Sequence, residues 1–257
     1  MRIYVRSLNW LGDAVFQAPA LRLLHARMPE AELFIQAKPS VAEVVRAYGL
    51  GEVLPWEEGH LARGRQIRAL GADVALLLPK SFGSAVDAFL GRVPQRLGWG
   101  GQGRNPLLTR VLKRWDDGDH YALRFRSLVA SALGEGENPA TSAVLNLPPV
   151  WAEAAAPLIQ DVEDPFVLLA AGASGGLAKQ WEPAQWKALL KNICAAGYRV
   201  LVVGKREEAA LGAFLAEGER SVLDLVGRTD LRQLGGLAAG ASLVVANDSG
   251  LLHLATA

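Results

Sequence analysis

Five short segments of this 257-residue sequence hold the side chains whose types and spacing suit chemistry. Ser7-Leu8-Asn9-Trp10-Leu11-Gly12-Asp13 follows an apolar run and opens a helical pattern, which puts Asp13 at or near a helix N-terminus. A carboxylate there fits two roles: a helix cap, or a general base that takes a proton from a sugar hydroxyl. Gly172 to Trp181 (GASGGLAKQW) is a small-residue loop in which backbone can approach a ligand, Ser174 adds a hydroxyl and Lys179 adds a cation suited to a diphosphate. It lacks the G-K-[ST] ending of a P-loop, and a flexible turn with a solvated lysine has the same composition. Leu243 to Ala257 (LVVANDSGLLHLATA) runs from a β-branched stretch through Asn247-Asp248-Ser249-Gly250 into a helical pattern. Amides at such a strand-to-helix turn favour an anion such as a phosphate.

Within that third segment, Asp248 and Ser249 each suit a helix cap. Beside a diphosphate Asp248 would be repelled, so as a ligand group it suits sugar hydroxyls. His253 lies four residues after Ser249 on the same helical face, either as a structural histidine or within reach of a phosphate or sugar oxygen. The fourth segment holds Glu207 and Glu208, just after the apolar run Val200–Gly204. Either fits the hydroxyls of a ribose, and both also suit the first turn of a helix as acids. The fifth is basic: Arg92, Arg96, Arg104, Arg110, Lys113 and Arg114, with no acid between Ala88 and Trp115. Gly98, Trp99, Gly100, Gly101 and Gly103 read as a mobile loop in its middle. The stretch is either a solvated surface or a platform for a polyanionic acceptor or an acidic membrane. No nucleic-acid recognition fold accompanies it, so nucleic acid is not an expected partner.

The elements that must position these segments alternate strand and helix twice over. Strands are expected at residues 3–6, 32–37, 52–55, 73–78 and 96–99, with helical stretches at 15–26, 41–48 and 120–133. After Gly134-Glu135-Gly136-Glu137-Asn138-Pro139 and Leu147-Pro148-Pro149, strands follow at 166–170, 199–203, 222–225 and 243–246, with helices at 183–196, 207–216 and 231–239. Near-continuous apolar runs such as Val74-Ala75-Leu76-Leu77-Leu78 suit a parallel sheet covered on both faces. The expected architecture is α/β: two Rossmann-like domains, residues 1–148 and 149–257, with a cleft between them at the carboxyl ends of the strands.

Composition agrees with a globular chain. Hydrophobic residues make up 51% and charged residues 21%, which excludes global disorder. The net charge of +1 hides an asymmetry, with 18 Lys and Arg against 13 Asp and Glu in residues 1–135, and 9 against 13 in residues 136–257. Cys194 is the only cysteine, so neither a disulfide framework nor a thiolate metal site is available. Met1-Arg2 leads directly into a strand without a signal-peptide pattern, and no apolar run reaches the ~18 residues of a membrane span. A cytoplasmic protein is expected.

The pieces S-L-N-W-L-G-D-A-V (7–15), L-P-K-S-F-G-S-A (78–85), P-Q-R-L-G-W (94–99), A-K-Q-W (178–181) and N-D-S-G-L-L-H-L-A (247–255) form an ordered set. This set resembles the ADP-heptose:lipopolysaccharide heptosyltransferases of glycosyltransferase family 9 across essentially the whole chain. The S-F-x-S-A and R-x-G-W elements are most similar to the heptosyltransferase II branch. The resemblance implies a GT-B fold and an inverting glycosyl transfer that uses no metal and no cofactor. It places the catalytic base at Asp13 and the donor phosphates at Lys179. Asp248, Ser249, Gly250 and His253 fall around the diphosphate and sugar, Glu208 rather than Glu207 at the ribose, and Ser174 in the donor loop. Arg96 and Arg104 are the expected acceptor contacts. Gln180 departs from the family pattern, which commonly has a basic residue there.

The partners implied are ADP-heptose, an anionic lipopolysaccharide-core acceptor and, peripherally, the inner face of the inner membrane. Family members continue beyond the H-L-A element, so the second domain is expected to be incomplete. A helix of about eight residues at its end is marginal by itself. Two other readings compete: another GT-B nucleotide-sugar enzyme such as an epimerase, and an inactive ligand-binding fragment.

Overall fold

In the computed structural model the described residues are 1–112, 120–134, 147–162, 165–172 and 180–256. The chain divides into two compact units, Met1–Leu145 and Asn146–Ala257.

Unit 1 is built on a parallel six-stranded sheet. Its strands are β1 (Arg2–Arg6), β2 (Glu32–Gln36), β3 (Glu52–Leu54), β4 (Val74–Leu77), β5 (Gln95–Trp99) and β6 (Arg110–Leu112), in the order β3-β2-β1-β4-β5-β6. The helices are α1 (Leu11–Phe16), α2 (Ala18–Arg27), α3 (Pro39–Ala47), α4 (His60–Leu70), α5 (Phe82–Leu90) and α6 (Tyr121–Leu133). Helices α1, α2, α3 and α6 pack on one another, and α4 packs on α5. Alternate residues of β1 serve the two layers: Tyr4 joins Ile67, Ala75, Leu77 and Ala85 in one core cluster, and Ile3 and Val5 are buried outside it. Strand order reverses at β1 and β4, so the loops that follow them diverge and open a crevice at the carboxyl edge.

Unit 2 repeats the same opening order. Strands β7 (Phe166–Ala170), β8 (Arg199–Val202), β9 (Val222–Asp224) and β10 (Leu243–Ala246) form a parallel sheet in the order β10-β7-β8-β9. Its helices are α7 (Pro149–Ile159), α8 (Pro183–Ala195), α9 (Ala209–Ala216), α10 (Leu231–Gly240) and α11 (Gly250–Ala255). Phe166 and Leu168 pack with Leu201, Leu237 and Ala155, while Leu169 packs with Val200, Trp186 and Leu215, so β7 is buried on both faces. The Gly235-Gly236 pair inside α10 exists for packing. A β-carbon at Gly235 would strike the Trp151 ring, and one at Gly236 would strike the Trp151 backbone, where α7 and α10 press together.

Three sequence expectations change. The single helix over 15–26 is two helices broken at Gln17, because Pro19 has no N–H to continue the ladder. The glycine-rich loop is ordered in part: Gly98 and Trp99 lie inside β5, with Trp99 only 3% exposed, and the Asn105 side chain holds the turn by accepting from the Gly101 amide at 2.9 Å. Strand β6, at the edge of the sheet, went unread because Arg110-Val111-Leu112 is too short to show a period.

Candidate active site

At the carboxyl edge of unit 1, the loop 7–10 runs from β1 into α1. Asp13 is the third residue of α1, in its first turn, and the N-cap is Trp10, which provides no side-chain bond. Asp13 is therefore not the cap that its spacing allows. The loop is held from below and behind. Arg6 is buried, and its Nη1 donates to the carbonyls of Ser7 (2.7 Å) and Gln36 (3.1 Å), while its Nη2 donates to Asn9 Oδ1 (2.7 Å). Gln17 accepts from the Leu8 amide at 3.0 Å and donates to Ser7 Oγ at 2.7 Å. The Tyr48 hydroxyl, from the end of α3, donates to the Ala14 carbonyl. Burial lowers the Arg6 pKa and drives that of the Tyr48 phenol well above its ordinary range.

Beside this loop stands a group that the sequence did not reveal. The Trp56 ring, after β3, has Arg6 Cζ 4.7 Å and Arg63 Cζ 4.8 Å from its centroid, with Lys38 Nζ at 5.8 Å. Arg63 also donates from Nε to Asp87 Oδ2 at 2.8 Å, and His60 Nδ1 lies 2.5 Å from Asp87 Oδ1. These residues come from four separate segments at one sheet edge, so no local spacing announces them.

At the corresponding edge of unit 2, the loops after β7, β8 and β10 meet. Asn247 Nδ2 donates to the carbonyl of Ala171 at 2.6 Å and reaches that of Gly172 at 3.4 Å, which ties the end of β10 to the end of β7. Glu208 closes a turn of 3-10 helix (Arg206–Glu208) and accepts from the Lys205 amide at 2.8 Å. Its carboxylate lies against two glycines: a β-carbon at Gly204 would sit 2.6 Å from Oε2, and one at Gly172 would overlap the carboxylate itself. Glu207 is exposed, so Glu208 is the acid that faces the strand ends. Ser249 is the N-cap residue of α11, yet its hydroxyl is buried and has no partner among the described residues. Gly250 begins α11, and His253 Nε2 lies 3.6 Å from Asp248 Oδ1. Ser174 and Lys179 lie outside the described residues. Trp181 packs edge-on against Trp186, with ring centroids 5.2 Å apart, at the start of α8.

Sequence comparison gives this geometry a family. Residues 60–257 match glycosyltransferase family 9 (heptosyltransferase). The chain is 31% identical to lipopolysaccharide heptosyltransferase 2 of Salmonella typhimurium, covering 100% of this chain and 80% of that relative. The chain belongs to glycosyltransferase family 9. A solved structure of an E. coli ADP-heptose LPS heptosyltransferase II aligns with a TM-score of 0.86 and 27% identity, over 99% of this chain and 81% of that one. An E. coli heptosyltransferase solved with ADP shares the fold, with a TM-score of 0.81 at 20% identity, over 99% of this chain and 84% of that one. The α/β architecture, with two parallel sheets, is thus the GT-B type, and this family 9 member is a glycosyltransferase.

The basic stretch of this glycosyltransferase is only partly a surface. Arg104 is wholly buried, and burial pushes its pKa down to about 10. Its Nε donates to the Trp99 carbonyl at 2.7 Å, and its Nη1 donates to Pro79 O, to Ser81 O (3.2 Å) and to Ser84 Oγ (3.1 Å). It therefore pins the 79–84 loop to the glycine turn, instead of facing an acceptor as its sequence context suggested. Gly98 leaves room for this, since a β-carbon there would lie 2.7 Å from Nη2. Arg96 is half-buried, stacks over Phe89 at 5.5 Å and donates to Leu107 O (2.7 Å) and Val93 O (2.6 Å). Lys113 and Arg114 lie outside the described residues. Among the described residues no cluster of three or more His, Cys, Asp or Glu side chains is placed to hold a metal, and no helix is long and apolar enough to cross a membrane.

The buried guanidinium leads to a stability prediction. Arg104→Ala leaves several buried carbonyls without a donor and should cost on the order of 3 kcal/mol in urea-unfolding experiments. Wild-type stability in that variant would return Arg104 to a surface role.

Proposed function

We propose that this chain transfers heptose from ADP-heptose to the inner core of lipopolysaccharide, in the manner of heptosyltransferase II, with inversion at the anomeric carbon and without a metal. The relatives named above carry that activity in their names. The observation that carries the reading to this chain is the grouping of Gly172, Glu208, Asn247 and the unpartnered Ser249 hydroxyl at the strand-order reversal of unit 2. A buried hydroxyl without a partner calls for one, and a phosphate oxygen supplies it.

In this reading unit 2 holds the donor. Glu208, whose carboxylate the bare backbone of Gly172 admits, accepts from the ribose hydroxyls. Lys179 and Ser249 face the diphosphate, with Ser174 in the same loop, and Gly250 keeps the backbone open there. Asp248, paired with His253, accepts from the sugar hydroxyls. Unit 1 holds the acceptor. Asp13 takes the proton from the attacking hydroxyl as its oxygen bonds to the anomeric carbon. The bond from that carbon to the phosphate oxygen breaks, and ADP leaves with the electron pair. Cationic and hydroxyl groups fixed around the diphosphate stabilise the charge that develops there, which is the work a divalent metal does in other transferases. For the anionic core acceptor, the exposed Lys38, beside the Trp56 ring that the buried Arg6 and Arg63 hold, replaces Arg104 as the basic group near the Asp13 loop, while Arg96 lies at the amino end of β5, away from that edge.

Contact with the inner face of the inner membrane belongs to the same reading, because the acceptor is lipid-anchored. Helices α4 and α5 expose Leu61, Phe82 and Phe89 beside Arg65 and Arg68, and Asp87, the only acid in either helix, is buried against Arg63. Apolar side chains interleaved with arginines suit an anionic bilayer surface.

Three outcomes test this reading. Asp13→Ala should lower the rate of transfer on the order of 1,000-fold while ADP binding, measured by calorimetry, stays near wild type; undiminished turnover removes Asp13 from the role of base. Gly172→Ala should weaken ADP binding about tenfold, because its β-carbon displaces the Glu208 carboxylate from the ribose site. Unchanged affinity there would detach Glu208 from the nucleotide. The chain should co-sediment with phosphatidylglycerol vesicles more than with phosphatidylcholine vesicles, and Phe82→Asp with Phe89→Asp should reduce it; equal recovery from both vesicles argues against membrane contact.

A further inference from the structure

Helix α1 is an unusual support for a catalytic group. It spans six residues, from Leu11 to Phe16, and Trp10 gives it no side-chain cap. A helix this short does not hold its own shape, so the position of Asp13 must be imposed from outside α1.

Gln17 is placed to impose it. The helix breaks at this residue, and its side chain, 0% exposed, turns back across the whole of α1 to the loop that precedes it. One amide group makes two bonds there: Oε1 accepts from the Leu8 amide at 3.0 Å and Nε2 donates to Ser7 Oγ at 2.7 Å. Ser7 Oγ in turn donates to the Leu8 carbonyl at 3.3 Å. The loop 7–10 and α1 are thereby closed into a ring whose two ends meet at the Gln17 amide, with Asp13 on the arc between them. Arg6 fixes the same loop from below through Ser7 O and Asn9 Oδ1, and that second anchor means the loop need not collapse when Gln17 is changed. A neutral side chain with a donor and an acceptor is required at 17, since both partners are buried and each costs free energy when left alone.

We propose that Gln17 is a positioning residue for the transfer reaction, setting where the Asp13 carboxylate stands relative to the attacking hydroxyl. The inference rests on the reading of Asp13 as the base. A misplacement of about 1 Å at a reacting group can cost on the order of 100-fold in rate, so a loss of this clamp reads out in turnover before it reads out in binding.

The test is a double-mutant cycle in kcat on the full chain, with Gln17→Leu, Asp13→Asn and the two combined. Gln17→Leu should lower kcat about 10- to 100-fold while KM for the donor stays within about twofold, and the acid limb of its kcat–pH profile should move. In the Asp13→Asn background the same change should have no further effect, because Gln17 acts through that carboxylate. If Gln17→Leu keeps wild-type kcat, or its loss multiplies with that of Asp13→Asn, the proposal is overturned and Gln17 is a residue of the core alone. If Asp13→Asn itself keeps wild-type kcat, the reading of the base fails, and the proposal fails with it by a separate result. Should Gln17→Leu not fold, Ser7→Ala removes only one of the two bonds. It should show a smaller loss of the same kind, again absent when Asp13 is replaced, and an unchanged or multiplying rate overturns the proposal equally.

Discussion

The constraint on which the structure depends is the reversal of strand order in a parallel sheet. In each unit the chain winds outward in one direction, β1 to β3 or β7 to β9, then crosses back to lay β4 or β10 on the other side of the first strand. The loops leaving the two central strands must then part to reach helices on opposite faces. That parting leaves backbone at the carboxyl edge without neighbours of its own, and each unit fills the gap with side-chain bonds. In unit 1 Arg6 and Gln17 bind the loop after β1, and Arg104 binds the loop after β4. In unit 2 Asn247 binds the ends of β10 and β7 together. Among the described residues the buried polar side chains Arg6, Ser7, Gln17, Gln36, Ser84 and Arg104 gather at the carboxyl edge of unit 1.

This explains why most of the polar side chains at the two edges are already occupied. Arg6, Arg63 and Arg104 are cations taken out of water, and each is retained because it satisfies carbonyls or a carboxylate that the strand reversal exposes. Among the described residues Arg104 Nη2, Arg126 Nε, Trp186 Nε1 and the Ser249 hydroxyl are buried without a partner, and of these the hydroxyl sits at the start of α11. An unpartnered hydroxyl at a strand-to-helix turn suits an anionic ligand. The carboxylate of Glu208, resting over Gly172 and Gly204, points the same way, since two adjacent strand ends have given up side chains to admit it.

Much of this was legible in the sequence, for identifiable reasons. Apolar strands such as Phe166–Ala170, buried along its whole length, have a composition that marks their limits, and the β-branched run of Leu243–Ala246 marks β10 even at the sheet edge. The Asp13 and Asp248–His253 segments could be read because each lies on one continuous strand–loop–helix stretch. The break at Gln17 was signalled by Pro19, yet the long apolar pattern around it outweighed that signal. Arg104 misled because burial of an arginine depends on partners that arrive from the 79–84 loop, and a run of positive charges looks alike whether it faces water or carbonyls. The cluster of Trp56, Arg6, Arg63 and Lys38 was invisible for the same reason: its members are far apart in sequence and meet only when β1, β2 and β3 are laid side by side.

The proposed reaction moves heptose from a nucleotide donor to a lipopolysaccharide-core acceptor. The most direct measurement incubates this chain with ADP-heptose and two defined inner-core acceptors that differ by one heptose, and follows release of ADP and the anomeric configuration of the product. Transfer to the acceptor that already carries one heptose, with inversion, is the expected result. Consumption of the donor without any acceptor, or a product of retained configuration, would contradict it.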